Sequence, residues 1–326
     1  MKLTEIKEYL KSKKVLIIGS AGFIGRNLLE YFMVNNIDVH IVVKKSSNLW
    51  RLHEHKNVAL HFANLNDYNE TLELFKKTQA NVVFHLASRG GHPVTITDFQ
   101  NFMSENQKMT SNLLEASVTC GIDKFIFGSG SQEGEIIESK VIENYSFKPH
   151  TFRGIAKATE SIMCNYYAEY NNLPLLNIRI FHAYGPWEQP SRFIPKIIMS
   201  FIKKQPIALI DPAYKKDYVF VDDVIKTLLL ASYKNDIKSG SIINIGSGLL
   251  FSTHEIYAYL TEIFGYQIKI DAFPYPPKIS DKESYVADLK NLKKYFYWQP
   301  DNTMFDGLVN TVEWFKNHSS LYDQYY

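Results

Sequence analysis

The sequence is poor in cysteine, in net charge and in long apolar runs. Its 326 residues include two cysteines, Cys120 and Cys164, and both lie in segments with a helical pattern. We therefore expect free thiols in a reducing compartment rather than a structural disulfide. The formal net charge is only +2, so electrostatics give no reason to expect nucleic acid or a membrane surface as a partner.

Long hydrophobic segments are also missing. No stretch approaches the roughly 18 consecutive apolar residues that a membrane-spanning helix needs, and the first residues lack the pattern of a secretory signal. We expect a cytoplasmic protein without a metal site. Hydrophobic residues make up 45% and charged residues 21% of the chain, which is typical of a globular protein with a large core.

A glycine-rich run follows the first predicted strand. Three glycines spaced by three residues, Gly19, Gly22 and Gly25, separate an apolar strand from an amphipathic helix. The first allows a tight turn, the second lets the backbone approach a pyrophosphate, and the third permits close packing of helix and strand. The free N–H groups at the helix start would hold the phosphate. A strained turn without a ligand is the alternative, but strand, spacing and helix together predict a dinucleotide site.

Strand and helix patterns alternate over the first 180 residues. This alternation, with strands that are apolar throughout, predicts a doubly wound α/β fold around a parallel sheet. Prolines become frequent after residue 181, which predicts a smaller lobe over the carboxyl ends of the strands. We expect a dinucleotide-binding domain at 1–180 and mainly a substrate lobe at 181–326, with segments about 217–246 returning to the first domain. The expected elements are helices at 2–12, 23–35, 67–77, 99–120 and 152–171 and strands at 15–19, 38–43, 58–62, 81–86, 123–128 and 174–181.

The end of the second strand bears on which dinucleotide is bound. Lys44 and Lys45 follow it, and no acidic residue stands there. A carboxylate at this point would hold a ribose 2′-hydroxyl, whereas a cation accommodates a 2′-phosphate. The sequence therefore favours NADP(H) over NAD(H), with Arg26, Ser46 or Ser47 as candidates for further phosphate contacts. The alternative is that the lysines only mark an exposed strand end.

Further motifs occur along most of the chain. They are Gly19-x-x-Gly22-x-x-Gly25, His85-Leu86-Ala87-Ser88, Asn106-x-x-x-Thr110-x-Asn112-Leu113-Leu114-Glu115-Ala116, Arg179-Ile180-Phe181-His182-Ala183-Tyr184-Gly185-Pro186, Lys216-Asp217-Tyr218-Val219-Phe220-Val221-Asp222-Asp223-Val224, Asn244-x-Gly246-x-Gly248 and Trp298-x-Pro300. From about residue 14 to 315 this set resembles the extended short-chain dehydrogenase/reductase family, also called the NAD-dependent epimerase/dehydratase family. The resemblance implies a nucleotide-diphosphate sugar as substrate and a homodimer through helices 99–120 and 152–171.

The same resemblance implies which residues contact the ligands. Cations beside a proline-framed loop suit a diphosphate because charge-assisted hydrogen bonds are strong; the alternative for each is a solvated surface residue. Two positions depart from the family pattern, which usually has Arg at Lys216 and often Asn at His182. The implied cofactor contacts are Gly19, Ala21, Gly22, Phe23, Ile24, Gly25, Lys44, Asn64, Leu65, Leu86, Ala87 and Lys157, and the implied substrate contacts are His92, Ser131, His182, Arg192, Phe193, Lys216 and Lys278.

One catalytic position implied by the resemblance departs from the pattern. The family places a Ser or Thr after the fifth strand and Tyr-x-x-x-Lys at the start of a long helix. Ser129 and Lys157 match, but Arg153 stands where the tyrosine is expected. A guanidinium stays protonated and accepts no hydrogen bond, so it cannot exchange a proton as a phenol does. It can stabilise an alkoxide, hold a phosphate or carboxylate, or merely fill space.

Other residues are therefore candidates for the missing proton donor, and a neighbouring motif excludes one reaction. A sugar 4,6-dehydratase of this family carries Asp-Glu after the Ser/Thr, where this chain has Gly130-Ser131, so dehydration lacks its acid and base. The candidate donors are loop residues without a motif behind them, of which the first is best placed: His92, Tyr145, His150 and Glu133.

The pattern is most similar to that of reductases of 4-keto-6-deoxy nucleotide sugars such as CDP-abequose synthase. We predict an NADP(H)-dependent reductase of a nucleotide-linked keto sugar, with C4 as the reacting carbon, in the biosynthesis of surface-polysaccharide sugars. One alternative is a nucleotide-sugar 4-epimerase with bound NAD. Another, supported by Arg153, is a family member that binds dinucleotide or sugar nucleotide without redox turnover.

Overall fold

The computed structural model describes residues 3–52, 58–91, 93–143, 146–149, 151–271 and 284–326. Helices and strands alternate in these residues, as the sequence predicts. The helices are α1 (Leu3–Lys11), α2 (Phe23–Val34), α3 (Tyr68–Thr78), α4 (Ile96–Cys120), α5 (Phe152–Tyr170), α6 (Phe193–Lys203), α7 (Val221–Tyr233), α8 (Thr253–Phe264), α9 (Lys290–Phe296) and α10 (Met304–His318). The strands are β1 (Val15–Ile18), β2 (Val39–Val43), β3 (Ala59–Phe62), β4 (Val82–His85), β5 (Lys124–Gly130), β6 (Ile136–Ile137), β7 (Lys140–Val141), β8 (Leu175–Ile180), β9 (His182–Tyr184), β10 (Lys215–Lys216), β11 (Tyr218–Phe220), β12 (Ile242–Ile245), β13 (Phe251–Ser252) and β14 (Val286–Ala287).

A seven-stranded parallel sheet forms the centre of the molecule. Its strand order is β12-β8-β5-β4-β1-β2-β3, and every neighbouring pair is parallel. The chain builds outward from β1 to β3, then returns to place β4 on the other side of β1. The predicted doubly wound α/β fold is therefore confirmed. The reversal between β1 and β4 creates the crevice at the carboxyl ends of the strands where α/β proteins bind ligands.

The element boundaries differ from the predicted ones at two places near this crevice. Helix α4 begins at Ile96, because Thr95 and Asp98 cap each other's backbone N–H groups in a capping box. Strand β5 continues to Gly130, because Ser129 pairs in register with Arg179 of β8. Both differences lengthen elements toward the carboxyl end of the sheet.

Successive residues of each strand enter two different cores. Ile17, Phe84 and Ile126 pack on the side of α1, α2 and α7, whereas Leu16 and Phe127 pack on the side of α3, α4 and α5. Side chains alternate across a strand, so a strand covered on both faces must be apolar at consecutive positions. This explains the unbroken apolar runs of the sequence.

After residue 181 the chain forms short strand pairs above the sheet. β9 pairs with β11, β10 with β13, and β14 with β7, while β12 returns to the edge of the main sheet. The buried Asp217 carboxylate joins these segments by accepting hydrogen bonds from the backbone N–H groups of Ser247, Gly248 and Ala287. The division of the chain at residue 180 stays a prediction. None of the helices in the described ranges is long and apolar enough to cross a membrane.

Candidate functional site

A cleft of about 390 Å³ lies at the carboxyl ends of β1, β2 and β4. It occupies the crevice where the strand order reverses, and the glycine turn forms its floor. The predicted cofactor contacts that line it are Gly19, Ala21, Gly22, Lys44, Leu65, Leu86 and Ala87. Phe23, Ile24 and Gly25 form the first turn of α2 beside it.

The glycine turn leaves no room for side chains. Gly19 has a φ of +96°, and a Cβ there would lie 2.6 Å from the Ala87 backbone nitrogen. A Cβ on Gly25 would lie 2.2 Å from the Gly19 carbonyl oxygen. Gly22 caps α2 without a side-chain hydrogen bond, so the N–H groups of the first turn face the cleft without a side-chain cap. This is the geometry that binds a phosphate at a helix N-terminus.

The cations at the end of β2 are accompanied by an acidic residue. The Lys44 Nζ lies 3.5 Å from a Glu105 carboxylate oxygen, and the Arg89 guanidinium donates to the other oxygen at 2.9 Å. All three residues line the cleft. The prediction from β2 alone missed Glu105, because α4 brings it from 61 residues further along the chain.

Two other predicted contacts are hydrogen-bonded within the protein. Arg26 is buried, and it donates to the Arg51 carbonyl oxygen at 2.7 Å and to Glu30 at 2.8 Å. The interpretation of Arg26 as a phosphate contact is therefore wrong, because its guanidinium is used within the core. The Asn64 side chain accepts a hydrogen bond from the Asn66 backbone N–H within a local turn.

Lys157 is held at the carboxyl end of β5 by a chain of buried groups. Its Nζ lies 3.1 Å from a Glu160 oxygen and 3.4 Å from the Gly128 carbonyl oxygen. Thr110 donates to the other Glu160 oxygen at 2.7 Å, and the Thr110 hydroxyl lies 2.9 Å from His85 Nε2. Since the Thr110 proton goes to Glu160, His85 must donate through Nε2. Burial and the Lys157 charge lower the pKa of His85 well below its usual value, which keeps the ring neutral.

Ser129 lies next to a second buried carboxylate. Its hydroxyl oxygen accepts from the Gly130 N–H at 2.7 Å, and the hydroxyl lies near enough to Glu133 to lower the pKa of that carboxyl group. Glu133 accepts from Arg179 at 2.9 Å and from Ser161 at 2.8 Å. Burial raises the pKa of Glu133, while Arg179 and the two serines oppose the rise. The sequence placed Glu133 in a loop as a candidate donor, and the structure shows it fully buried behind Ser129.

Arg153 occupies the first turn of α5, one turn before Lys157. It is partly exposed. Within the described residues its guanidinium makes no hydrogen bond or ion pair. Burial lowers the pKa of Arg153, the nearby Arg192 lowers it further, and Glu160 raises it. Glu160 is already paired with Lys157, so Arg153 faces a second cation without an anion of its own.

Three predicted substrate contacts lie among the segments that follow residue 181, where the chain forms short strand pairs. They are His182, Lys216 and Arg192. Burial, then the charges of Lys216 and Arg192, lower the pKa of His182 to about 3, so its ring is neutral. Lys216 is buried in β10, and Arg192 is the exposed residue that precedes Phe193 at the start of α6. These three charged or polar groups therefore converge.

A buried phenol, Tyr285, was missed by sequence reasoning. Its hydroxyl lies 3.4 Å from the Ser131 hydroxyl, and no motif surrounds it that could have revealed it. No group of three or more His, Cys, Asp or Glu side chains in the part of the chain that the structure describes could hold a metal ion. Some predicted site residues lie outside the described residues: His92, Tyr145, His150 and Lys278.

The chain is similar to known proteins over most of its length. The family model for the NAD dependent epimerase/dehydratase family matches residues 15–246. The chain is 26% identical to an uncharacterized UDP-glucose epimerase, YtcB, of Bacillus subtilis, over 95% of this chain and 99% of that protein. It is 26% identical to a UDP-glucuronate 4-epimerase of Thermodesulfobacterium geofontis, over 94% and 97%. A Thermus thermophilus UDP-glucose 4-epimerase solved in complex with NAD superposes with a TM-score of 0.79 at 26% identity, over 93% and 98%.

Proposed function

The chain belongs to the NAD-dependent epimerase/dehydratase family, and from this premise we propose that it is an NAD-linked 4-epimerase of a uridine-diphosphate sugar. The observation that carries the proposal is the pairing of a glycine cleft with a lysine fixed at the carboxyl end of β5. Relatives named for UDP-sugar epimerisation match nearly the whole chain. These relatives support the epimerase alternative better than the predicted 4-keto reductase.

The residues of the cleft fit a dinucleotide. The first turn of α2 offers backbone N–H groups to a pyrophosphate, and side chains on Gly19 or Gly25 would collide with backbone atoms. Glu105 offsets the positive charge of Lys44 and Arg89, which weakens the case for a 2′-phosphate. We therefore favour NAD over the predicted NADP. When bound, the nicotinamide supplies two-electron redox chemistry at a sugar carbon.

Lys157 and Ser129 are the groups of this chain that would face the reacting centre. Lys157 would hold the nicotinamide ribose, because Glu160 and the Gly128 carbonyl keep its ammonium at the carboxyl end of β5. Ser129 would bind the sugar oxygen, because it directly follows Gly128, the β5 residue whose carbonyl contacts Lys157. Both side chains are buried, and low exposure strengthens their electrostatic effect on a bound sugar.

Oxidation of a sugar hydroxyl releases one proton from oxygen, and Arg153 cannot accept it. In our proposal Ser129 takes this proton while it passes its own proton to Glu133. Burial raises the pKa of Glu133, so this carboxylate is a better base than an exposed one. The same proton returns through Ser129 when the ketone is reduced on the opposite face.

The test is whether the purified protein retains NAD and epimerises without added reductant. The nucleotide released by denaturation is separated by chromatography, and UDP-glucose and UDP-glucuronate are followed by NMR. We expect NAD rather than NADP and slow appearance of the C4 epimer. Ser129→Ala should reduce turnover about 100-fold while NAD binding persists. Oxidation of NADPH by a 4-keto-6-deoxy sugar nucleotide, without epimerisation, would favour the reductase.

Arg153 supports a second candidate function. A protein that binds NAD and a UDP-sugar but lacks redox turnover would need no tyrosine at this position. Absence of epimerisation and of cofactor oxidation, with both ligands bound, would establish this function. Arg153→Tyr separates the two cases, because a binding protein that has lost its proton donor should gain turnover from the phenol.

A further inference from the structure

The Arg153 guanidinium is an unusual group at its position. It lies in the first turn of α5, where the helix dipole disfavours a cation. It is partly exposed, and within the described residues no side chain or backbone group pairs with it. A partly desolvated cation loses some of its hydration, and an anionic partner normally compensates for that loss. An unpaired guanidinium at this position, beside a second cation, therefore indicates an anionic ligand.

The charges around Arg153 do not supply that anion. Glu160 is the nearby carboxylate; one of its oxygens accepts from Thr110, and the other lies 3.1 Å from the Lys157 ammonium, which already balances its charge. On the other side stands Arg192, a second cation. Glu188 lies near Arg192, but burial raises the pKa of Glu188 to about 8, so it is mostly protonated at neutral pH. The region keeps an excess of positive charge.

The place of Arg153 on α5 assigns the anion to the sugar end of the substrate. Arg153 and Lys157 are four residues apart, so they share one face of the helix. Lys157 lies beside the end of β5, where Ser129 would meet the reacting oxygen. Arg192 lies near both Arg153 and His182, and Lys216 lies near His182; in this assignment Lys216 would hold the diphosphate.

We propose that Arg153, assisted by Arg192, binds a carboxylate on the sugar, so that the substrate is a UDP-linked uronic acid. This inference rests on the proposed function, because it concerns the same site. A guanidinium presents two parallel N–H groups that match the two oxygens of a carboxylate. A neutral hexose at the same place would leave the guanidinium unpaired. Arg153 is therefore a specificity-determining residue, and its presence in place of a tyrosine has a reason.

Binding measurements on the purified protein with its bound cofactor test the inference without relying on turnover. Titration calorimetry compares UDP, UDP-glucose and UDP-glucuronate. We expect UDP-glucuronate to bind about tenfold or more tightly than UDP-glucose, as a charge-assisted pair implies. Arg153→Gln should remove this preference while the affinity for UDP and UDP-glucose stays within about twofold. Arg153→Lys keeps the positive charge but loses the two parallel N–H groups, so it should retain part of the preference for UDP-glucuronate.

Lys11→Gln is the control, because it removes one positive charge from α1, away from the cleft. It should leave the preference for UDP-glucuronate unchanged. If Arg153→Gln weakens the binding of UDP, UDP-glucose and UDP-glucuronate equally, Arg153 holds the diphosphate. The inference then fails, while the proposed function stands. Equal binding of the two sugar nucleotides to the unaltered protein also overturns it. If no UDP compound binds, the proposed function itself is wrong. Should Arg153→Gln misfold, Arg192→Gln gives the same comparison.

Discussion

The candidate site has two ends, the glycine cleft and the start of α5 with the end of β5, and they are built by different means. At the cofactor end, backbone atoms and glycines without room for a Cβ make the surface. At the α5 end, charged side chains make it. They are the buried Lys157–Glu160 ion pair, the buried Glu133 near Ser129, and the partly exposed Arg153. A dinucleotide pyrophosphate needs the same backbone geometry in every protein that binds it, whereas the reacting sugar differs between enzymes. The first end therefore keeps the family pattern, and the second carries the departures.

The largest effect on ligand binding is expected from a side chain added at the cofactor end. Gly25→Ala would place a Cβ 2.2 Å from the Gly19 carbonyl oxygen, and because both groups are backbone, the turn must move. We expect NAD affinity to fall at least about 100-fold, with a loss of stability on the order of 2 kcal/mol from overpacking. Binding is measured by calorimetry and stability by urea unfolding.

Gly90→Ala is the control for that substitution. Gly90 lines the same cleft, but a Cβ there meets no atom within 4 Å. The Gly90→Ala variant should bind NAD with nearly unchanged affinity. Normal NAD binding by Gly25→Ala would show that the cofactor end does not depend on close backbone approach, and the contrast between the two ends would disappear.

At the α5 end, the corresponding test removes a charge instead of adding a methyl group. Glu160→Gln keeps the shape of the side chain but leaves the buried Lys157 ammonium without its partner. Breaking one partner of a buried ion pair costs about 3–5 kcal/mol, so we expect a loss of stability of that order. Turnover should fall about tenfold or more, since Lys157 is then no longer fixed. NAD affinity at the glycine end should change much less.

The exposed pair of Glu8 and Lys11 offers a matched control. It has the same spacing of three residues as Lys157 and Glu160, with one partner's side chain 68% exposed. Glu8→Gln should change stability by less than about 1 kcal/mol. Equal stability losses in Glu8→Gln and Glu160→Gln would mean that burial does not distinguish the second pair.

The sequence predicted the cofactor end better than the α5 end, for a physical reason. Gly19, Gly22 and Gly25 act through their spacing along the chain, so a local pattern reveals them. Glu105 and Tyr285 act because distant elements bring them into the site. Their partners are about 60 and 150 residues away in sequence, and no periodicity links them. Arg26 lies next to the glycine motif, but this position in sequence did not reveal that its guanidinium is buried and hydrogen-bonded to the Arg51 carbonyl.

A smaller effect is expected at Glu188, which lies near Arg51 on the cofactor side and Arg192 on the substrate side. Burial raises the pKa of Glu188 from its usual 4.5 to about 8. The native state therefore binds a proton that the unfolded state has already lost between about pH 4.5 and 8. Stability contributed by this group is complete below pH 4.5 and declines as the pH rises to about 8.

Glu188→Gln should remove that decline, because the amide is neutral at every pH. We expect its thermal midpoint to exceed that of the unaltered protein by several degrees at pH 8.5, with little difference at pH 5, on the basis of roughly 2–4 °C per kcal/mol. Thermal unfolding at the two pH values measures it. A midpoint difference that is the same at both pH values would mean that ionisation of Glu188 has no part in it.

The smallest effect is expected at Lys44, and it tests how far charge matters at the cofactor end. Lys44 is 43% exposed and lies 3.5 Å from Glu105, and exposed pairs of this kind contribute about 0–1 kcal/mol. Lys44→Gln should therefore change the affinity for NAD less than about threefold, measured by calorimetry. Glu105→Gln leaves Lys44 and Arg89 without their carboxylate, so it should raise the affinity for NADP more than that for NAD. A large loss of NADP affinity in Lys44→Gln, in a protein that binds NADP more tightly than NAD, would restore the 2′-phosphate role of this lysine. The cofactor end would then select its ligand by side-chain charge, as the α5 end does.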